Sequence, residues 1–191
     1  MFATQNENKV NEIKHLIGLN HQLITLFDLK FDEELNESSM LLEENALEKA
    51  NFIYHKFRIN CFSEDTGLEI EALNEAPGAM SARYAGEQKT AEKNIEKVLM
   101  EMNNHQNRNA RFRTVIALVI EGKEFLYEGV IKGKICLTKQ GSGGFGYDPI
   151  FQPDGYTKTF AEMTIEEKST ISHRTIAFSK MKEFLQSEFA E

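Results

Sequence analysis

RFRTVIALVIEGKEFLYEGVIKGKI, Arg111 to Ile135, is the stretch that decides the fold. Two runs rich in β-branched and aromatic residues flank a short Glu-Gly-Lys-Glu segment, which is the pattern of an antiparallel hairpin. Outward from it the periodicity turns helical. Upstream, Thr90 is placed to cap a helix with Ala91, Ile95, Val98, Leu99 and Met102 inward. Before that, INCFS (Ile59–Ser63) reads as a buried strand that ends abruptly at Glu64-Asp65-Thr66-Gly67. LEIEAL (Leu68–Leu73) alternates as a half-exposed strand, and Ala76-Pro77-Gly78 turns the chain. A helix is predicted over Leu42–Phe57, with Leu42, Ala46, Ala50, Ile53 and Phe57 on one side. MFAT at the start and QLITLF (Gln22–Phe27) read as strands around an amphipathic helix with Val10, Ile13, Leu16 and Ile17 inward, stopped by Gly18. Downstream, Thr164–Glu167 is a capping box. Ser172 is placed to cap a last helix with Ala177, Met181, Phe184 and Leu185 inward. Helices alternating with strands, plus one long hairpin, predict an α/β fold with a mixed sheet.

The chain has 191 residues, which suits one domain, or one domain in two lobes, with a real core. A net charge of −8 argues against a broad nucleic-acid surface, though a local cluster of cations can still receive a small anion. No apolar run has membrane-spanning length, and the polar N-terminus does not read as a secretory signal. The two cysteines, Cys61 and Cys136, are far apart and outside any CxxC pattern, so they are expected as buried reduced thiols in a cytoplasmic protein.

Five segments carry chemistry. In GSGGFGYDPIF (Gly141–Phe151), Phe145, Gly146 and Tyr147 stand where a Walker loop needs Lys and Ser or Thr. The loop also follows a late hairpin, not the early strand of a dinucleotide fold. It reads either as a pocket for a flat ring or as a turn with a buried aromatic. Asp148 can accept from a ring N–H. In SEDTG, Glu64 and Asp65 end a strand, where α/β proteins place their sites. A carboxylate there can hold Mg²⁺, accept a proton from water, or merely cap a turn. Adjacent strand residues face opposite ways, and the apolar neighbours do not settle which carboxylate faces which side. DEEL (Asp32–Leu35) adds carboxylates that alone read as a solvated face. In TQNENK, the strand-to-helix link offers anion-attracting N–H groups and Lys9, or else a polar loop capped by Asn8. In EEKSTISHRT, Lys168 and Ser172 are four apart. His173 and Arg174 fall in the first turn of a helix, where cations oppose the macrodipole; an anionic or acceptor-rich partner is implied.

Together these segments resemble the inosine triphosphate pyrophosphatase family over essentially the whole chain. The likeness rests on ATQNENKVNEIK, LEENALEKA, SEDTGLEIEALNEAPGAMSARYAGE, GFGYDPIFQPDGYTKTFAEM and EEKSTISHR, in that order. Gln5 stands where Gly or Asn is common, and EDTG replaces the commoner DDSG. The resemblance implies a strongly twisted mixed α/β sheet with flanking helices, two lobes and a long cleft. It implies a Mg²⁺-dependent homodimer that hydrolyses ITP, dITP and XTP to the monophosphate and pyrophosphate. By motif position, Thr4, Gln5, Asn6, Glu7, Asn8 and Lys9 would hold the triphosphate. Asp65 would be general base and metal ligand with Thr66 beside it, Glu34 the second metal carboxylate, and Glu64 a helper. Phe145, Gly146, Tyr147 and Asp148 would hold the base, with Lys168, His173 and Arg174 at its 6-oxo edge. A nucleotide sensor without a reaction, or a pyrophosphatase for modified pyrimidines, are the rival readings.

Overall fold

The computed structural model describes residues 1–18, 22–86 and 90–189. In chain order the main elements are α1 (Glu7–Ile17), α2 (Leu42–Phe57), β1 (Cys61–Ile70), β2 (Pro77–Gly78), α3 (Ala91–Glu101), β3 (Asn109–Ile120), β4 (Lys123–Ile135), β5 (Phe151–Pro153), α4 (Ile165–Ser169) and α5 (His173–Phe189). Short 3-10 turns lie among them. The strands form a five-stranded sheet in the order β2-β1-β3-β4-β5. Its edge pairs are antiparallel, Leu68 opposite Gly78 on one side and Lys134 opposite Gln152 on the other. The hairpin is the one expected. Its tight turn is Glu121-Gly122, both at positive φ (51° and 77°), as a type I′ two-residue loop requires.

Two sequence expectations are corrected. First, β1 does not stop at Glu64-Asp65-Thr66-Gly67; one strand runs from Cys61 to Ile70 and includes the first half of LEIEAL, whose second half, Glu71–Leu73, is a 3-10 turn. Gly67 is a close-approach residue, not a turn residue: a Cβ there would lie 2.7 Å from the Gly78 carbonyl oxygen across the β1–β2 pair. Second, the strands read at MFAT and QLITLF shrink to isolated bridges. Phe2 makes parallel bridges with Thr25 and with Phe62, and these supply the parallel component of the fold. The run quoted above through Glu87 ends just outside the described residues.

The chain resolves into two compact units. One comprises Met1–Asp65, Thr114–Gly129 and Arg174–Glu191; the other comprises Thr66–Arg113 and Val130–His173. In the first unit, β1 alternates between two packed faces, as a strand must. Phe62 stacks on Phe2 with ring centroids 4.6 Å apart and joins Val10, Ile13, Ala177, Phe178 and Met181 from α1 and α5. Cys61 points the other way, to Ala3, Leu26 and Ile53, the last on α2. Its thiol bonds the Ala50 carbonyl, and Ser63 bonds the Ala46 carbonyl, both on α2. Residues 61, 63 and 65 therefore face α2, and residues 62 and 64 face α1 and α5. In the second unit, Leu68, Ile70, Ile95, Val98, Met102, Phe112, Phe151 and Phe160 form the core; Ala91, expected inward, is exposed.

Cys61 and Cys136 are buried and unpaired by any disulfide, as expected. Among the described residues, no helix is long and apolar enough to cross a membrane.

Candidate functional site

The alternation of β1 sorts its two adjacent carboxylates. Glu64, on the α1/α5 face, is 1 % exposed and meets two cations. Arg174, at the second position of α5, donates from Nε to both Glu64 oxygens at 2.9 Å and from Nη2 to Oε1 at 2.7 Å. Its Nη1 pairs with Glu12 of α1. Lys9 of α1 lies 3.3 Å from Glu64 Oε1. Burial alone would push the Glu64 carboxyl up, but the charges of Arg174 and Lys9 outweigh it and hold the group down at about 2. Burial likewise disfavours charge on Arg174, and Glu64 and Glu12 override it, so the guanidinium is held even more firmly protonated. The anionic partner that the macrodipole argument demanded for Arg174 is thus inside the protein, two carboxylates of α1 and β1.

Asp65, on the opposite face, is also buried, and α2 holds it. Asn45 Nδ2 donates to Asp65 Oδ2 at 3.0 Å, and Lys49 Nζ lies 3.3 Å from Oδ1. Lys49 also donates to Glu37 Oε1 at 2.5 Å and to the Glu64 carbonyl oxygen at 2.9 Å. Burial works against the charged ammonium, but Asp65 and Glu37 outweigh it and raise its proton affinity. Asn45, Lys49 and Glu37 were not singled out from the sequence. For the first two a signal existed: they are polar residues four apart inside the buried stripe of α2. Glu37 lies in the irregular acidic segment, where no periodicity marks it. Glu34, the carboxylate expected beside Asp65, is exposed; the acidic residue brought to Lys49 is Glu37.

The first turn of α1 is capped by Asn6, not Asn8. Asn6 Oδ1 accepts from the backbone N–H of Asn8 and of Lys9 at 3.0 and 3.3 Å. Thr4 is buried, and its hydroxyl accepts from Asn6 N–H at 3.2 Å. Gln5 reaches the acidic segment, donating to the Glu33 carbonyl and accepting from Leu35 N–H. Glu7 is exposed and opens the helix. Two of the N–H groups expected to meet an anion are thus taken by the cap. Side chains remain as the main donors of this loop.

The second unit gathers the loop Gly141–Asp148 with Lys168 and His173. Lys168 is buried on α4; its ammonium donates to Asp148 Oδ2 at 2.6 Å and lies 5.0 Å from the Phe145 ring centroid and 5.2 Å from that of Phe160. Asp148 Oδ2 also accepts from Phe145 N–H at 2.8 Å, closing a tight turn. Gly144 makes that turn possible: it sits at φ +66°, and a Cβ would lie 2.0 Å from Asp148 Oδ2. Tyr147 is a core residue whose hydroxyl donates to the Ser81 carbonyl at 2.8 Å; burial pushes its phenol up. Of the two aromatics in the loop, Phe145 is the half-buried one, and Gly146 is half-buried at φ +61°. His173 stacks on Phe112 at 4.7 Å and 14° and so belongs to the aromatic core of this unit. Thr66 is half-buried on β1.

The sheet carries ionised side chains on both faces of one strand: Glu64 and Glu12 against Arg174 and Lys9 on one face, Asp65 and Glu37 sharing Lys49 on the other. The fold is that of an α/β protein with a cluster of charged side chains around β1. The chain belongs to the Ham1 family, whose model matches residues 1–184. It is 46 % identical over 185 residues to a dITP/XTP pyrophosphatase of Christiangramia forsetii, covering 97 % of each chain. It is 44 % identical to the protein of the same name from Flavobacterium johnsoniae, covering 97 % of this chain and 96 % of that one. Among solved structures, the Staphylococcus aureus Ham1 protein is similar with a TM-score of 0.88 and 37 % identity, over 98 % of this chain and 97 % of that one. A Coxiella burnetii HAM1 protein is similar with the same TM-score and 34 % identity, over 97 % of each chain. The family resemblance read from the motifs is confirmed.

Proposed function

We propose that the chain hydrolyses non-standard purine nucleoside triphosphates, dITP, XTP and ITP, to the nucleoside monophosphate and pyrophosphate. The relatives' name supports the class of reaction, a nucleoside triphosphate pyrophosphatase. The observation that carries the reading is Asp65, a buried carboxylate fixed by Asn45 and Lys49 next to a carboxylate, Glu64, that is locked as an anion.

In this reading Asp65 accepts a proton from a water molecule as the water oxygen attacks the α-phosphorus. The bond from the α-phosphorus to the α,β-bridging oxygen breaks, and pyrophosphate leaves with that electron pair. No covalent enzyme intermediate forms. Lys9, Thr4 and Asn6 contribute side-chain donors to the phosphates. Arg174 and Lys9 keep Glu64 ionised, which makes Glu64 a poor proton acceptor and leaves the task to its neighbour. The donor set suits a hard divalent cation: Asp65 and Glu37 both present carboxylate oxygen to one point, now taken by the Lys49 ammonium. Mg²⁺ held by these two groups would supply charge neutralisation for the phosphates.

Base choice follows from the Asp148–Lys168 pair. A 6-oxopurine carries a ring N–H donor next to an oxo acceptor. A carboxylate beside an ammonium is the matching acceptor and donor. Adenine reverses both positions and would leave buried polar groups unmatched, a mismatch that can cost orders of magnitude in selectivity. The half-buried Phe145 ring is the stacking surface. The test is pyrophosphate release, with Mg²⁺, from dITP, XTP, ITP, GTP and ATP in parallel. Strong release from the first three and little from ATP is expected. Release at similar rates from all five would remove the base assignment; release from none would remove the reaction.

A further inference from the structure

Three oxygens converge on one nitrogen beneath β1. Lys49 Nζ lies 2.5 Å from Glu37 Oε1, 2.9 Å from the Glu64 carbonyl oxygen and 3.3 Å from Asp65 Oδ1. The Lys49 side chain is 6 % exposed and that of Asp65 8 %, whereas Glu37 is 29 % exposed. Two carboxylates and a carbonyl satisfy the three N–H donors of an ammonium, and the same hard oxygens are ligand chemistry for a dication. The centre of that cradle is filled by a cation on a flexible four-carbon stem, anchored on the rigid helix α2.

We propose that Lys49 is a tethered counter-cation: it holds Glu37 and Asp65 together in the metal-free protein and must yield its position for a divalent cation to enter. The proposal rests on the functional reading, which places Mg²⁺ on these two carboxylates. An ammonium and a dication cannot occupy one cradle, so every Mg²⁺ bound breaks the two ion pairs that Lys49 makes with Glu37 and Asp65. Lys49 therefore lowers the affinity for Mg²⁺ while preventing the two neighbouring carboxylates from repelling each other when the metal is absent. Asn45 keeps its bond to Asp65 Oδ2 in either state, so Asp65 has a fixed anchor through the exchange. Glu37, the more exposed partner, is the side on which the exchange begins.

Lys49→Met tests this, since it keeps the length of the side chain and removes the charge. Mg²⁺ titrated into the whole protein by calorimetry should bind the variant about tenfold more tightly or better, the effect one neighbouring charge has on a carboxylate's affinity for a proton. Without Mg²⁺ the variant should melt at a lower temperature than the parent, and its gain on adding Mg²⁺ should be larger. Lys49→Arg keeps the charge and should not show the tightening. Should Lys49→Met fail to fold, the parent itself decides. With lysine Nζ labelled, Mg²⁺ should abolish the protected ammonium resonance of Lys49, whereas its persistence in the Mg²⁺-saturated protein overturns the proposal. Equal or weaker Mg²⁺ binding by Lys49→Met overturns the counter-cation role alone. Binding by neither protein overturns it together with the metal in the functional reading.

Discussion

Arg174→Met removes the guanidinium that clamps Glu64 and replaces it with an apolar chain of similar length. Three hydrogen bonds to a fully buried carboxylate disappear, and Lys9 at 3.3 Å is left as its cationic partner. Two routes give the cost. Removing one partner of a buried ion pair costs roughly 3–5 kcal/mol, because the other charge stays behind. The second route is the proton affinity. Arg174 and Lys9 together, net of burial, lower Glu64 from an ordinary 4.5 to about 2, and at about 1.4 kcal/mol per tenfold change in affinity that is roughly 3 kcal/mol for the two cations, of which the variant loses the Arg174 share. The folded value is the depressed one, so this contribution is present above about pH 4.5 and is lost as pH falls toward 2. Urea unfolding at pH 7 should therefore show Arg174→Met less stable by about 3 kcal/mol. Between pH 4.5 and 2.5 the parent should lose stability more steeply than the variant. Glu64→Met combined with Arg174→Met should recover part of the loss, since an apolar pair replaces an ionic one and the charges left behind, Lys9 and Glu12, are opposite and three apart on α1. A single variant within about 0.5 kcal/mol of the parent, the scatter of ordinary surface changes, would refute the clamp. So would a double variant no more stable than the single one.

Two further substitutions probe the proposed chemistry. Asp65→Asn should lower pyrophosphate release at least about 100-fold while the far-ultraviolet circular dichroism stays unchanged, the loss expected when a general base is removed; near-normal turnover would take the base role from Asp65. Gly144→Ala places a methyl 2.0 Å from Asp148 Oδ2 in a left-handed conformation, so the Asp148–Lys168 pair must shift. The ratio of kcat/KM for XTP over ATP should fall about tenfold or more, since a displaced acceptor no longer matches the ring N–H; an unchanged ratio would show that this pair does not read the base.

The long helices α1, α2, α3 and α5 were legible because each carries an apolar stripe that needs no knowledge of its neighbours, and α4 because of its capping box. α2 begins and ends at the residues expected, Leu42 and Phe57. β1 was not legible as one strand, because Gly67 resembles a turn glycine until its pairing with Gly78 is known. The N-terminal strands failed for a related reason: Phe2 makes bridges, not a ladder, and a bridge leaves no period in the sequence. In the site, Arg174 was legible as a cation needing an anion, from its place in the first turn of α5. Which anion was not, because Glu64 is 110 residues away in sequence. Lys49 and Asn45 were readable in principle as polar interruptions of a buried stripe. Glu37 was not, since the segment before α2 has neither period nor cap to fix its register.

Glu64 and Asp65 show why a pair of adjacent acids in a central strand can be functional where either alone would not. Alternation sends them to opposite faces, so each takes its environment from different helices. Glu64 receives α1 and α5 and with them two cations, and becomes a fixed charge. Asp65 receives α2 and with it a neutral amide and an ammonium that is shared with Glu37. The fixed charge ties α1 and α5 to the strand at the residue directly before Asp65, so the backbone of Asp65 is held from the far face while its side chain is held from the near one. Loosening the Glu64 clamp should therefore disturb Asp65 without touching it. In Arg174→Met, dissolved in enough osmolyte to restore folding, residual activity should stay below that of the parent by more than the unfolded fraction explains. Activity proportional to the folded fraction would mean that the clamp serves stability alone.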